Sequence, residues 1–220
     1  MTGFAGFDRS DYPGKVVMDW LKANTNLKWC AFYLPSPSHP SSSWMDADEA
    51  AFDGWGFAPV YVGQQVTGPG SHLVTAAQGA VDGADACEQM NEAGFDAGAY
   101  VYLDIENGPP FTAEQQDYVG AWCDAVVADG YKAGVYCSFL FAAEVAKLRP
   151  NARIWVFHVR TVSQHSVPGA TYPTPDPATS GYTEAAVWQL DDEASILCPV
   201  ASAGRLLVDL DSASSADPSV

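Results

Sequence analysis

Gly94-Phe95-Asp96-Ala97-Gly98-Ala99-Tyr100-Val101-Tyr102 returns 36 residues later as Gly130-Tyr131-Lys132-Ala133-Gly134-Val135-Tyr136-Cys137-Ser138. The shared pattern is glycine, aromatic, any residue, alanine, glycine, any residue, tyrosine. The spacing is about that of one strand–helix unit. Each copy opens on a glycine just after a helical stretch, where a left-handed residue ends a helix, and then runs into a short apolar segment. Upstream of the second copy, Thr112 and Gln115 form a capping box, and Tyr118, Val119, Trp122, Ala125 and Val126 recur at helical spacing. Upstream of the first copy, Ala80, Val81, Ala84 and Cys87 mark the apolar face of another helix.

Outward from this pair the chain shows eight short apolar runs: Phe4–Asp8, Trp29–Leu34, Ala58–Gly63, Ala99–Ile105, Ala133–Ser138, Arg153–His158, Ala185–Leu190 and Leu206–Leu210. Runs too short for helices and apolar on both faces are what buried parallel strands look like. Helices are predicted at Val16–Ala23, Ala47–Phe52, Ala76–Ala93, Thr112–Ala128 and Phe139–Leu148. Alternation of this kind predicts an α/β fold, a single (β/α)8 TIM-type barrel with some helices replaced by loops. An open doubly wound sheet is the other candidate, but no glycine-rich dinucleotide fingerprint precedes a helix. The Ser/Thr/Pro/Gly-rich stretch 159–184 has no helical period and is expected to be a long loop. The barrel domain is expected to span residues 1–211, with 212–220 as a flexible tail.

The chain has 220 residues, 10 Lys and Arg against 27 Asp and Glu, and a formal charge of −17. Acidity on this scale argues against a nucleic-acid partner, which needs a basic footprint. No apolar run is long enough for a membrane span. No basic n-region and apolar h-region open the chain, so no signal peptide is read. The cysteines Cys30, Cys87, Cys123, Cys137 and Cys198 lack a paired-spacing motif and are expected to be small buried hydrophobes, with one disulfide as the alternative. We expect a monomer.

Carboxylates gather where strands end. Asp8 ends the first run, Asp104 and Glu106 the fourth, Asp209 and Asp211 the eighth. Along Tyr100-Val101-Tyr102-Leu103-Asp104-Ile105-Glu106 alternate residues share a face. Tyr100, Tyr102, Asp104 and Glu106 must face the lumen, because the opposite register would press two carboxylates onto apolar helices. Such neighbours, ~6.6–7 Å apart at Cα, repel, so that one keeps its proton to higher pH. That division into acid and base is the one glycoside hydrolysis uses. A hard-cation site for Mg²⁺ or Ca²⁺ is a second reading of oxygen-only ligands; helix capping by each carboxylate is the structural one. Tyr61, Tyr102, Tyr136, Trp155 and Trp188 lie on or near strand ends as candidate sugar-stacking faces, and Gln189 and His158 as hydrogen-bonding contacts. No nucleophile elbow and no phosphate-binding loop is present.

Gly6-Phe7-Asp8, Pro59-Val60-Tyr61-Val62-Gly63, Tyr102-Leu103-Asp104-Ile105-Glu106, Gly134-Val135-Tyr136, Trp155, Trp188-Gln189 and Val208-Asp209-Leu210-Asp211 occur in that order. Together they resemble the glycoside hydrolase-like domain of unknown function numbered 1906, a family similar to the family 25 lysozymes (N-acetylmuramidases). The resemblance implies Glu106 as proton donor, Asp104 as the carboxylate that tunes it or supports the cationic transition state, and Asp8 and Asp209 lining the same pocket. Asp211 would lie among the substrate contacts. It implies cleavage of the β-1,4 bond after N-acetylmuramic acid in cell-wall peptidoglycan, without metal or cofactor. The alternative on the same fold is a glycan-binding or cell-envelope protein that does not cut.

Overall fold

A computed structural model describes residues 2–37, 39–47, 52–68, 71–159 and 162–220. The strands are β1 (Phe4–Asp8), β2 (Trp29–Tyr33), β3 (Gly56–Val62), β4 (Tyr100–Asp104), β5 (Lys132–Ser138), β6 (Arg153–Phe157), β7 (Val162–Val167), β8 (Val187–Leu197) and β9 (Arg205–Ala213). The helices are α1 (Lys15–Asn24), α2 (Ala76–Glu92), α3 (Ala113–Ala128) and α4 (Ala142–Leu148). Strands β1 to β6 pair in sequence order and in parallel. The ring closes through β8 and β9, since β6 pairs β8 in parallel and β9 pairs both β8 and β1 antiparallel. The result is a closed eight-stranded barrel with helices around it, as expected of a TIM-type fold.

Two features depart from a regular (β/α)8 barrel. The last barrel strand runs antiparallel to its neighbours, so Asp209 lies nearer the mouth than Asp211. And within the stretch expected to be a structureless loop, β7 pairs with the distal half of β8. Because β8 has 11 residues, its first few close the barrel on β6 while the rest, with β7 and β9, rise as a three-stranded flap beyond the mouth. Register shifts in β8 between Gln189 and Ala194, with Glu193 at φ 50°, mark a bulge where the strand leaves the barrel. The helix expected at Ala47–Phe52 falls largely on residues 48–51, outside the described residues.

The lumen is filled, not open. Trp29, Ala31, Ala58, Val60, Tyr102, Trp155, Val187 and Ala213 form the inner cluster, and Phe7, Cys30, Val101, Leu103, Val135, Ile154, Val156, Trp188 and Leu210 pack outward against the helices. Trp155 takes Trp29 and Tyr102 edge-on, with ring centroids 5.7 and 5.6 Å apart. The rings fit because their partners across the strands lack side chains: a Cβ on Gly6 would lie 2.1 Å from the Trp29 ring, and one on Gly134 2.4 Å from the Tyr102 ring.

The internal repeat holds for the helix ends. Gly94 and Gly130 have φ of 80° and 89°, and Phe95 and Tyr131 donate their N–H to Met90 and Val126, five residues back. It does not extend to the strands. Tyr102, not the repeat-related position, pairs with Gly134, because a turn at Asp96–Ala99 delays the start of β4. The expected α2 face is also corrected: of its residues Cys87 is buried, whereas Ala80, Val81 and Ala84 are exposed, and Gly79, Asp82, Gly83, Ala86 and Met90 join Cys87 in the buried face. Glycines on that face let α3 approach, since a Cβ on Gly79 would lie 2.3 Å from the Tyr118 carbonyl.

Residues 212–220 do not fray. Ser212 and Ala213 belong to β9, and the segment after them caps the N-terminal pole. Tyr102 Oη and Arg153 Nη1 each donate to the Pro218 carbonyl at 2.9 Å, Arg153 Nη1 also reaches the Val220 carbonyl at 2.7 Å, and the Tyr100 amide donates to Ser219. All five cysteines are free and buried, so the disulfide alternative falls away.

Candidate active site

Alternation along each strand decides which side chains reach the mouth. On β4 the outward Val101 and Leu103 leave Tyr102 and Asp104 inside. The antiparallel register sets Asp8 directly opposite Asp209, and Asp211 opposite both Gly6 and Gln189. Asp8, Tyr33, Val60, Asp104, Glu106, Tyr136, Trp155, Gln189 and Asp209 therefore line one pit of about 50 Å³ at the C-terminal mouth. Two shallower hollows continue it into a groove. One, of about 200 Å³, runs past Arg9, Ser10 and Glu193; the other, of about 240 Å³, runs past Phe157, Val159 and Asp192.

Gln189 is the hub. Tyr136 Oη donates to its Oε1 at 2.5 Å, which turns its Nε2 toward Asp209 at 2.8 Å and Asp8 at 3.4 Å. Tyr33 Oη donates to Asp8 at 2.8 Å, and the Glu193 amide donates to Asp209 at 2.7 Å. Below the pit Trp155 Nε1 donates to Asp211 at 3.1 Å. Gln65 clips the strand end that carries the paired carboxylates: its Nε2 donates to the Asp104 carbonyl at 2.9 Å and its Oε1 accepts from the Glu106 amide at 3.1 Å.

This many carboxyl groups in one low-dielectric site cannot all ionise. Burial pushes Asp8 up to about 6 although hydrogen bonds from Tyr33 and Asp211 oppose the shift. Burial, then the Asp8 charge, pushes Asp209 up to about 9. Burial, then Glu106 and Asp8, holds Asp104 well above the carboxylate range, and its Oδ1 is buried without a hydrogen-bond partner. Burial, then the Asp8 and Asp209 charges, does the same for Asp211. The site thus combines neutral carboxylic acids with carboxylates, the pairing that acid–base chemistry on a glycosidic bond requires. Among the described residues no three His, Cys, Asp or Glu side chains converge as a metal-ligating set.

Of the residues singled out in the sequence, Asp8, Asp104, Glu106, Tyr136, Trp155, Gln189 and Asp209 share the pit, and Asp211 supports it from beneath. Four others lie elsewhere. Tyr61 points to the helices, where its Oη donates to Asp85 at 2.7 Å. Tyr102 fills the lumen below and reaches Pro218. Trp188 faces outward and donates to the His158 carbonyl at 3.1 Å. His158 stacks on Phe139 and contacts the Ser180 carbonyl. Tyr33, Gln65, Asp192 and Glu193 were not anticipated. For Tyr33 a signal existed, since it ends its strand on the parity of the lumen residues Trp29 and Ala31. A larger cavity, of about 530 Å³, lies outside the barrel among Phe32, Trp44, Phe57 and Phe95 and brings no comparable set of hydrogen-bonded carboxyls together.

Residues 19–195 match the sequence profile of the Rv2525c-like, glycoside hydrolase-like domain. No curated protein matches the chain in sequence. Among solved structures it is similar to the catalytic domain of endolysin ply40 from Listeria monocytogenes bacteriophage P40 (TM-score 0.61, 14% identity, 98% of this chain and 94% of that one). It is similar to the Tat-secreted protein Rv2525c of Mycobacterium tuberculosis (TM-score 0.59, 17% identity, 97% and 96%). It is also similar to GHIP, a glycosyl hydrolase 25 of Streptococcus pneumoniae (TM-score 0.62, 12% identity, 96% and 86%). At these identities the likeness is one of fold.

Proposed function

The chain belongs to the Rv2525c-like, glycoside hydrolase-like domain family, and on that premise we propose that it is a cell-wall glycan hydrolase of the muramidase type, cutting β-1,4 bonds in peptidoglycan by acid–base catalysis. The observation that carries this reading is the convergence of Asp8, Asp104, Glu106 and Asp209, from three strands, on one open pit. Glu106, the exposed member of the pair on the fourth strand, protonates the leaving oxygen. Asp104, buried beneath it and with its pKa raised by burial and by the Glu106 charge, holds the pair's proton and supplies it to Glu106 as the leaving oxygen draws one. Asp8, hydrogen-bonded by Tyr33 and Gln189, faces the positive charge of the transition state across the pit, with Asp209 as its proton-holding neighbour. Tyr136, with Phe157 beside it, supplies the apolar wall for a sugar face.

The test is release of new reducing ends from purified peptidoglycan. Glu106→Gln should unfold at the wild-type temperature and lose ~10²–10⁴-fold in rate, the range expected for a lost general acid. Equal rates would remove Glu106 from the mechanism. Saturable binding with no product from the wild type would favour the non-cutting glycan-binding alternative.

A further inference from the structure

The two carboxyl groups assigned to proton transfer are the ones that no side chain holds. Asp8 is gripped by Tyr33, Asp209 by Gln189 and the Glu193 amide, and Asp211 by Trp155. Among the described residues nothing donates a hydrogen bond to the carboxyl group of Asp104 or of Glu106. Their placement rests on the backbone that carries them, and that backbone is leaving the sheet. The β3–β4 ladder ends at Val62 and Asp104, while on the β5 side the Ile105 amide still reaches the Tyr136 carbonyl at 3.0 Å.

Gln65 takes over where β3 turns away. A primary amide is donor and acceptor at once. Its Nε2 donates to the Asp104 carbonyl at 2.9 Å and its Oε1 accepts from the Glu106 amide at 3.1 Å, as a parallel neighbour would. Asn107 adds a third bond, its Oδ1 accepting from the Val66 amide at 3.1 Å. The loop is itself anchored from outside the barrel. The Gln64 amide donates to Tyr118 Oη at 3.0 Å, and Tyr118 and the Gln64 side chain donate to the fully buried Asp82 at 2.6 and 3.3 Å. Gln65 lines neither the pit nor the two hollows. Resting on the glycan-hydrolase reading above, we propose that Gln65 is a positioning residue for the proton donor: it fixes the spacing of the Asp104 and Glu106 carboxyl groups that lets one proton serve both.

The test sets the wild type beside two variants, with the unfolding temperature recorded for each. Gln65→Met keeps the length of the side chain and loses both hydrogen bonds. Gln65→Glu keeps the acceptor, and keeps the donor only while its carboxyl is protonated. On purified peptidoglycan Gln65→Met should lose ~10–100-fold in kcat, the scale of a reacting group misplaced by about an ångström, with KM within about twofold. The ratio of Gln65→Glu to wild-type kcat should fall from about pH 4 to about pH 7, across the carboxyl range. A rise in KM with kcat unchanged would make Gln65 a substrate contact and overturn the proposal. Carboxyl-carbon NMR titration of Asp104 and Glu106 reads the spacing without any turnover. Two carboxyls held together titrate in separated steps, and in Gln65→Met the upper step should move to lower pH as the pair spreads. Asp8, Tyr33 and Tyr136 also face the pair and are the same in every protein compared. An unchanged titration, or an unchanged kcat where the wild type cuts, overturns the proposal. If Gln65→Met does not fold, Asn107→Ala takes the same measurements and should show a smaller shift of the same sign; no shift overturns the proposal. No product from the wild type sinks the hydrolase reading, and the titration alone then decides whether Gln65 spaces the carboxyls.

Discussion

Gln189 shows how a side chain that looks like a substrate contact is used up by the protein. Its carbonyl is held by Tyr136 and its amide by two carboxyl groups, so its orientation is set and little of it is left for a sugar hydroxyl. Replacing it with glutamate puts another acid among Asp8, Asp209 and Asp211 and deletes the donor that bridges the first two. We expect Gln189→Glu to lower the unfolding temperature, with a cost of ~1–3 kcal/mol for a buried group left unsatisfied. The loss should be larger at pH 8 than at pH 5, because protonation relieves the added repulsion. Unfolding curves at the two pH values would show it, and an equal loss at both would mean the hub is not electrostatic. The same residue marks what sequence could and could not disclose. Strand-end carboxylates are legible because a charge cannot face the helices. The aromatic residues carry no such constraint: a strand buried on both sides places Tyr61 and Trp188 outward as readily as Tyr136 and Trp155 inward. Only the parity of a polar neighbour breaks the tie. Gln189 inside already implies Trp188 outside, whereas Tyr61 has no polar neighbour within its strand to decide its side.

Among the elements, the α2–α3 contact was illegible for the opposite reason, since its buried face is made of residues that look exposed or neutral. Apolar periodicity selects Ala80, Val81, Ala84 and Cys87, yet only Cys87 of these is buried and the helix turns Gly79, Asp82 and Gly83 inward. Asp82 is accommodated by hydrogen bonds from Tyr118 at 2.6 Å and from Gln64 and Gln78, and the glycines by backbone contact with α3. In an ordinary exposed helix position Gly→Ala stabilises by ~1 kcal/mol. At Gly79 the new Cβ would sit 2.3 Å from the Tyr118 carbonyl, and backbone cannot move aside as a flexible side chain can. Gly79→Ala is therefore expected to destabilise, by the ~1–3 kcal/mol typical of overpacking. Urea unfolding gives the sign directly, and a stabilised variant would show the helices to be looser than described. The β7–β8–β9 flap has a similar lesson. Its β7, Val162–Val167, reads as polar loop because a strand that rises beyond the mouth need not be apolar on both faces.

Across the whole molecule the barrel is polarised, with its C-terminal segment sealing one end and its crowded acids gathered at the other. That crowding couples stability to pH. Asp8 and Asp209 titrate higher in the folded chain, at about 6 and about 9, than the usual value near 3.8. Between those limits the native state holds more protons than the unfolded state, so stability must fall as pH rises. Asp8 contributes to the fall from about pH 4 to about 6 and Asp209 from about 4 to about 9. Asp104 and Asp211, raised in the same direction, extend it. The unfolding temperature should therefore be higher at pH 5 than at pH 9. Asp209→Asn removes the ionisation and keeps one oxygen for the Glu193 amide, but loses the acceptor for Gln189 Nε2. The variant should be less stable than the wild type at pH 5, lose part of the pH slope, and close on the wild type toward alkaline pH. A wild-type profile that rises or stays level from pH 5 to 9, or an Asp209→Asn profile parallel to it, would contradict a protonated Asp209. In the first case the acids would be dispersed into solvent, and the pit described here would not be closed enough to hold their protons.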